Sequence, residues 1–388
     1  MFIAYNNKKH EKDIIGNTPR AELRVVSGNG AKNKLIYGDN LSVLKALLDD
    51  YAGKVDLIYI DPPFATNGHF KISEKRANTI SSSNGDAVAY SDILVGADFL
   101  EFLRERLIFL RELLSGHGSI YLHIDYKIGH YVKLIMDEVF GRKNFRNDIT
   151  RVKCNPKNFY RKAYGNIKDL ILFYSKSEGP TWNNPRIPFS AEDKERLFKK
   201  FDKDGRRYTT IPLHAPGETS NGNTSKQWQG MMPPKGRHWR TDPAILEEWD
   251  KQGLVEWSAS GVPRKKIFLD EKEGKKMQDI WEFKDPQYPE YPTEKSLDLL
   301  KFIIEASSNE GDLVLDCFCG SGTTLVAAQL LNRNWIGIDK SDHAIKVAKK
   351  RITGLPPSLF SRSDFEFSAE EVDVPGKLAA RKGIKLAR

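Results

Sequence analysis

The run Val55-Asp-Leu-Ile-Tyr-Ile60 stops at Asp61-Pro62-Pro63-Phe64, and this junction constrains the fold more than any other feature of the chain. Six residues of nearly continuous apolar character read as a buried strand. Two consecutive prolines supply no backbone N–H and cannot continue a central ladder, so the strand must end there, at the edge of a sheet. The prolines fix φ and leave their carbonyls, with the Asp61 carboxylate, as acceptors converging on one point beside the flat face of Phe64. Standing alone, the tetrapeptide is a Pro-Pro turn with a core Phe. It also suits an exocyclic amino group on a planar base. Two acceptors holding its hydrogens bias the nitrogen toward tetrahedral geometry and free its lone pair to attack, while the ring stacks on the base.

Strands and helices alternate on both sides of the junction. Residues 34–39 read as a short strand ending in a Gly-Asp turn, and Leu41, Val43, Leu44, Leu47 and Leu48 follow at helical spacing. The polar stretch 65–92 has no periodicity and reads as a long loop. A helix is expected over 99–114, ended by Gly116 and Gly118, then a strand over 119–125. From Thr293 the pattern resumes: a helix over 297–306, the strand 313–316, a glycine turn, a helix over 324–331, the strand 335–339 and a helix over 343–352. This alternation predicts an open, mostly parallel, doubly wound α/β sheet.

Between these segments, residues 151–289 are rich in Pro, Gly, Asn and basic residues interleaved with aromatics. The expected organisation is therefore an α/β half over 1–150, an inserted region over 151–289, a second α/β half over 290–356 and a poorly ordered basic tail over 357–388. With 39% hydrophobic and 29% charged residues the chain is neither disordered nor fibrous. Its 61 Lys and Arg against 52 Asp and Glu leave a net charge of +9, which points to a polyanion such as nucleic acid as partner. Three cysteines make no disulfide framework, and neither an apolar signal core nor a membrane-spanning run is present, so a cytoplasmic location is expected.

Asp316-Cys-Phe-Cys-Gly320-Ser-Gly322-Thr-Thr324 lies between a strand and a helix, where backbone N–H groups can hold a nucleotide-like cofactor. It lacks the Gly-Lys-[ST] of a P-loop, and Leu325 stands at the third glycine of the dinucleotide fingerprint. A Gly-x-Gly by itself is equally a structural turn. Asp316 before the turn and Asp339 at the end of the next strand, placed to accept from a ribose diol, sharpen the reading to an adenosine-containing cofactor without a pyrophosphate. Cys317 and Cys319 lack further ligands at zinc spacing and read as small residues filling a tight turn. No metal is expected. His123, ending a strand, reads as structural.

Gly38-Asp39-Asn40, Asp61-Pro-Pro-Phe64, Tyr291-Pro-Thr-Glu-Lys295, the glycine turn and Gly337-Ile-Asp339, in this order, resemble the permuted β class of DNA amino-methyltransferases, over about two-thirds of the chain. The resemblance implies a circularly permuted, Rossmann-like methyltransferase sheet with an inserted target-recognition region, and S-adenosylmethionine as methyl donor. It implies catalytic roles for Asp61, Pro62, Pro63 and Phe64. It also implies a cofactor pocket of Asp61, Asp316, Phe318, Gly320, Gly322, Thr323 and Asp339, with Thr293 and Lys295 near the methionine end and Asp39 near the adenine. Two departures stand out. Phe64 replaces the commoner tyrosine and keeps its stacking face, and Cys317 and Cys319 stand where Pro and Ala are usual.

In the inserted region Arg206, Arg207, Lys235, Arg237 and Arg240 are candidates for phosphate contact, with Trp239 for base contact or space filling in an opened duplex. Site-specific adenine-N6 methylation of double-stranded DNA, by base flipping and within a restriction–modification system, is the leading reading. Cytosine-N4 methylation is the alternative, and Asp61 favours adenine because cytosine-N4 members more often carry Ser there. The resemblance admits a cognate restriction endonuclease and a homodimer as partners. A non-catalytic DNA-binding module would leave both motifs unexplained.

Overall fold

The computed structural model describes residues 3–28, 30–63, 69–72, 87–91, 96–155, 162–219, 221–287, 294–355 and 364–371. The chain divides into two compact units, Met1–Pro185 with Gln278–Arg388, and Arg186–Met277.

The first unit is built on a ten-stranded sheet. Its strands are β1 (Leu23–Ser27), β2 (Asn33–Tyr37), β3 (Val55–Ile60), β4 (Leu114–Ile124), β5 (Phe145–Val152), β6 (Lys168–Ser175), β7 (Ile280–Trp281), β8 (Leu313–Asp316), β9 (Asn334–Asp339) and β10 (Phe365–Glu370). They lie in the order β1-β10-β2-β9-β8-β3-β4-β6-β5-β7. From β10 across to β4 every pairing is parallel. Strands β1, β6 and β5 add antiparallel pairings outside that block.

Among the described residues seven α-helices accompany the sheet: α1 (Glu11–Asn17), α2 (Asn40–Tyr51), α3 (Ala97–Leu113), α4 (Gly129–Met136), α5 (Leu297–Ser307), α6 (Thr323–Leu330) and α7 (Asp342–Thr353). Side chains alternate across the pleat. Ile58, Ile60, Ile120, Leu122, Leu315, Ile336 and Ile338 form one core with Val43, Leu44 and Leu47 of α2 and Leu103 and Leu107 of α3. Leu57, Tyr59, Tyr121 and Val314 fall on the other face and are equally buried, with Tyr121 bonded through its hydroxyl to Ser307 of α5. Burial on both faces explains why these strands read as continuous apolar runs. This is the doubly wound α/β class the alternation predicts.

Strands β3 and β8 are distant in sequence yet adjacent, with Leu57 paired to Val314 and Ile58 to Leu315. From β3 the chain moves outward to β4, and from β8 it moves the other way to β9. The reversal places a crevice between their C-terminal ends, where ligands bind in open α/β sheets. Strands β2 and β3 both join the C-terminal pair, one on each side of it.

Several expectations need correction. Part of the expected tail over 357–388 is sheet interior, because β10 lies between β1 and β2. Its alternation of Phe365 and Phe367 with Glu366 and Ser368 is a strand pattern, and Glu366 is paired with Lys34 at 2.7 Å. The expected insert over 151–289 is too wide: β5, β6 and β7 belong to the main sheet, and the separate unit is Arg186–Met277. Gly116 and Gly118 do not precede a strand but lie inside β4, which begins directly after α3. Gly118 is there because a Cβ would meet the Leu114 side chain at 2.7 Å. Within the expected loop 65–92, His69–Ile72 pairs with Ala87–Ser91 as an antiparallel hairpin.

The second unit holds a four-stranded antiparallel sheet ordered Lys200–Phe201, Arg207–Pro212, Pro263–Phe268, Val255–Trp257. Leu213, Trp228, Trp239, Leu246 and Val255 form its core. Among the described residues no helix is long and apolar enough to cross a membrane.

Candidate active site

A cavity of about 510 Å³ opens at the C-terminal ends of β3, β8 and β9. Each strand delivers a carboxylate to it: Asp61 just past β3, Asp316 ending β8 and Asp339 ending β9. The three differ in what holds them.

Asp61 Oδ2 pairs with Lys295 Nζ at 2.6 Å, both side chains being largely buried. Asp61 Oδ1 is buried and has no hydrogen-bond partner among the described residues. A buried acceptor left unmade costs roughly 1–3 kcal/mol, more for a charged group, so this oxygen is poised for an incoming donor. Pro62 and Pro63 line the cavity beside it.

Asp316 instead builds the turn. Its Oδ1 accepts from Phe318 N–H at 3.0 Å and its Oδ2 from the Thr324 hydroxyl at 2.6 Å. Burial pushes its carboxyl up to about 7, against the pull of those two donors. Asp339 accepts from Gly320 N–H at 2.9 Å and Ser341 N–H at 2.8 Å, and burial raises it too. The Cys317 and Cys319 thiols are fully buried and raised well above their ordinary value by desolvation. They are inert packing groups in the turn. Among the described residues no cluster of three His, Cys, Asp or Glu forms a metal-binding group.

Gly320 and Gly322 have φ of +50° and +78°, the left-handed region open to glycine. Gly320 lines the cavity. Gly322 does not: a Cβ on it would lie 2.9 Å from Ala348 Cβ on α7, so its place in the expected pocket is corrected to a close helix–turn contact. Arg351 of α7 closes the turn from behind, donating to Ser321 Oγ at 2.9 Å and Thr323 Oγ1 at 3.0 Å and pairing with Glu294 at 3.0 Å.

At the far end, exposed Asp39 caps α2 through Leu41 N–H, and its own N–H donates to Glu370 of β10 at 2.8 Å. Asn40 donates to the Cys317 carbonyl at 2.7 Å and accepts from Arg106 Nε at 2.6 Å. The Arg106 guanidinium lies 3.6 Å over the Phe102 ring, and Phe102 in turn meets Phe318 at 6.1 Å.

Of the expected site residues, Asp39, Asp61, Pro62, Pro63, Lys295, Asp316, Phe318, Gly320, Thr323 and Asp339 line this one cavity. Phe64 and Thr293 lie outside the described residues. Sequence reasoning missed Tyr59, Asn40, Phe102, Arg106, Glu294 and Ser341, which also line it. Asn40 and Glu294 carried a signal, standing inside the Gly38-Asp39-Asn40 and Tyr291-Pro-Thr-Glu-Lys295 motifs, and so did Tyr59, since it precedes Asp61 by two residues and so shares its strand face.

Two of the expected DNA-contacting residues in the second unit are corrected. Trp239 is 1% exposed and donates to the Lys226 carbonyl, so it is core. Arg206 makes a two-pronged pair with Asp270 at 2.9 Å and a further one with Glu271, which neutralises it. Arg207 lies half-buried with its guanidinium 5.0 Å from the Phe201 ring centre. Lys235, Arg237 and Arg240 are exposed. Arg237 donates to His214, Arg240 to the Pro212 carbonyl, and among the described residues neither pairs with a carboxylate.

The type II methyltransferase M.EcaI of Enterobacter cloacae is 40% identical over 363 residues, covering 90% of this chain and 77% of its own. The StyLTI Mod subunit of a type III restriction-modification enzyme from Salmonella typhimurium is 27% identical over 83% of this chain, which spans only 54% of that longer relative. Among solved structures, the M1.HpyAVI–SAM complex is similar with a TM-score of 0.42 and 20% identity, over 82% of this chain and 99% of that one. The DNA methylase family profile matches residues 55–350, from the strand that leads into Asp61 to the helix behind the glycine turn, and the chain belongs to that family.

Proposed function

We propose that the chain transfers a methyl group from S-adenosylmethionine to the N6 amino group of adenine in duplex DNA, with the target base rotated out of the helix. The observation that carries the reading is the buried Asp61 Oδ1 in the crevice, which has no hydrogen-bond partner among the described residues. The residues fit the cofactor. Each Asp339 oxygen accepts one backbone N–H and keeps a lone pair for a ribose diol. Phe318 and Phe102 supply apolar faces beside it. When bound, S-adenosylmethionine supplies an electrophilic methyl group.

The protein's own part is orientation. Lys295 ties one oxygen of Asp61, which leaves the other oxygen to accept from the target amine. The Pro62 carbonyl offers a second acceptor, so both amine hydrogens are held and its lone pair is free. A paired adenine cannot reach an acceptor set into a sheet edge, and extrusion costs a few kcal/mol. Exposed Lys235, Arg237 and Arg240 with Arg207 serve phosphate contact. Relatives named for restriction–modification enzymes support a cognate restriction endonuclease as partner.

Incubation with tritiated S-adenosylmethionine and duplex DNA, followed by nucleoside separation, tests the reading. Label is expected in N6-methyladenine. Label in N4-methylcytosine overturns the base assignment, and DNA without label overturns the activity.

A further inference from the structure

Beneath the cavity a row of polar side chains crosses three neighbouring strands, and the methyl-transfer chemistry above makes no use of it. Tyr59 of β3, His123 of β4 and Asp169 of β6 are 2%, 0% and 2% exposed. The Tyr59 hydroxyl lies 2.8 Å from His123 Nδ1, and His123 Nε2 lies 3.3 Å from Asp169 Oδ2. Lys153, just past β5, closes the row, its ammonium 2.5 Å from Asp169 Oδ1, and the Arg151 guanidinium of β5 stands 3.6 Å from Oδ2. Tyr59 itself belongs to the cavity wall that holds Asp61.

The chemistry of each group fixes its proton. Burial opposes a charge on Asp169, but the hydrogen bond from His123 and the Lys153 ammonium outweigh it, so the carboxyl is held well below the usual range. An ionised carboxylate only accepts, so His123 Nε2 must carry the hydrogen that faces it. Burial also lowers the basicity of His123, against the pull of Asp169, and keeps the ring neutral. A neutral imidazole protonated at Nε2 has a bare Nδ1, which accepts from the Tyr59 O–H. The phenol proton is thereby directed toward His123 and away from the cavity. Burial, then the nearby Asp61 charge, raises the phenol well above its ordinary value, so it stays a hydroxyl.

We propose that His123 and Asp169 are positioning residues that hold the Tyr59 hydroxyl as a hydrogen-bond acceptor beside Asp61, facing the positive charge that methyl transfer places on the target nitrogen. The proposal rests on the methyl-transfer reading for its purpose, but the orientation itself is a property of the protein alone. A fixed dipole aimed where charge develops stabilises the transition state without reorganisation. The groups facing His123 are Tyr59 and Asp169 by hydrogen bond, and Lys295 and Asp61 by charge. All of them belong to the same unit.

Two measurements on the full chain test it. Nitrogen-15 NMR of labelled histidine reads the tautomer directly. A neutral Nε2–H ring at pH 7 is expected, with the Nδ1 resonance shifted in Tyr59→Phe, and an Nδ1–H ring overturns the proposal whatever the activity. In single-turnover transfer, Tyr59→Phe and His123→Leu are expected to lower the rate about tenfold or more. The affinities for cofactor and DNA should stay within twofold and the melting temperature within a few degrees. His123→Asn, whose amide oxygen can replace Nδ1 as acceptor, should recover most of the rate. Wild-type turnover in Tyr59→Phe, or no recovery in His123→Asn, overturns the role. A wild-type protein that methylates no DNA overturns the proposed function instead, and the tautomer still decides the orientation.

Discussion

Gly322→Ala isolates the backbone argument from the ligand. The residue sits at φ +78°, where an L side chain costs about 1–2 kcal/mol. Its new Cβ would stand 2.9 Å from Ala348 Cβ and 3.3 Å from Ala348 Cα. Both are fixed points on the buried face of α7, so the turn must move, and overpacking of this kind costs about 1–3 kcal/mol. Together the loss is roughly 2–5 kcal/mol, and at about 2 °C per kcal/mol for a large unit the midpoint should fall by about 4–10 °C. Calorimetric or dichroism melts of the protein without ligand read this. The steric half of the argument has its own control. Ala348→Gly added to Gly322→Ala opens the contact, so the pair should show a favourable coupling of about 1 kcal/mol or more in a double-mutant cycle. A Gly322→Ala protein melting within a degree of wild type, or a cycle with no coupling, refutes the reasoning and returns Gly322 to the cavity.

Three further outcomes follow from the same geometry. Glu370→Ala removes the acceptor for Asp39 N–H and for the Ser42 hydroxyl, so calorimetric cofactor affinity should fall several-fold with methyl transfer at saturation retained; unchanged affinity would separate β10 from the site. Arg237→Ala with Arg240→Ala should lower the log–log salt slope of DNA binding by up to about 2, whereas Arg206→Ala, already neutralised, should leave it unchanged. The Asp316 carboxyl, at about 7 when folded and near 4 when unfolded, is protonated in both states at low pH and ionises first in the unfolded chain. Stability without ligand should therefore decline as pH rises from about 4 to 7, and Asp316→Asn should flatten that decline in denaturant titrations.

The parts legible in the sequence were those where chemistry demands unusual residues. Two prolines after a strand, and glycines between a strand and a helix ending in Asp-bearing turns, located the crevice because few other residues permit such backbone. Strand β10 was hidden because Glu366 and Glu370 carry acidic charge within it, and only the distant partners Lys34 and Asp39 explain them. The border of the inserted unit was misread because Arg151 and Asp169 put charges into sheet strands, where they pair with each other and with Lys153. Trp239 resembled a DNA-facing aromatic among basic neighbours, yet in a small unit it is the apolar mass that fills the core. Arg106 could not be recognised at all, since its partners Asn40 and Asp39 lie more than sixty residues away. Pairing across distance leaves no local pattern.

The central claim is that Asp61 acts on the target amine and not on the fold or the cofactor, and the most direct measurement compares Asp61→Asn with wild type in two assays. An amide is close to the same shape but loses the charge, so the acceptor is weakened and the pair with Lys295 is lost. A charge-assisted hydrogen bond is worth about 1.5–3 kcal/mol, and the loss of charge beside the developing cation adds to it, so a single-turnover rate about a hundredfold or more below wild type is expected. Calorimetric affinity for S-adenosylmethionine should remain within about threefold. Methyl transfer within tenfold of wild type, or a rate lost only in step with cofactor affinity, would contradict the account.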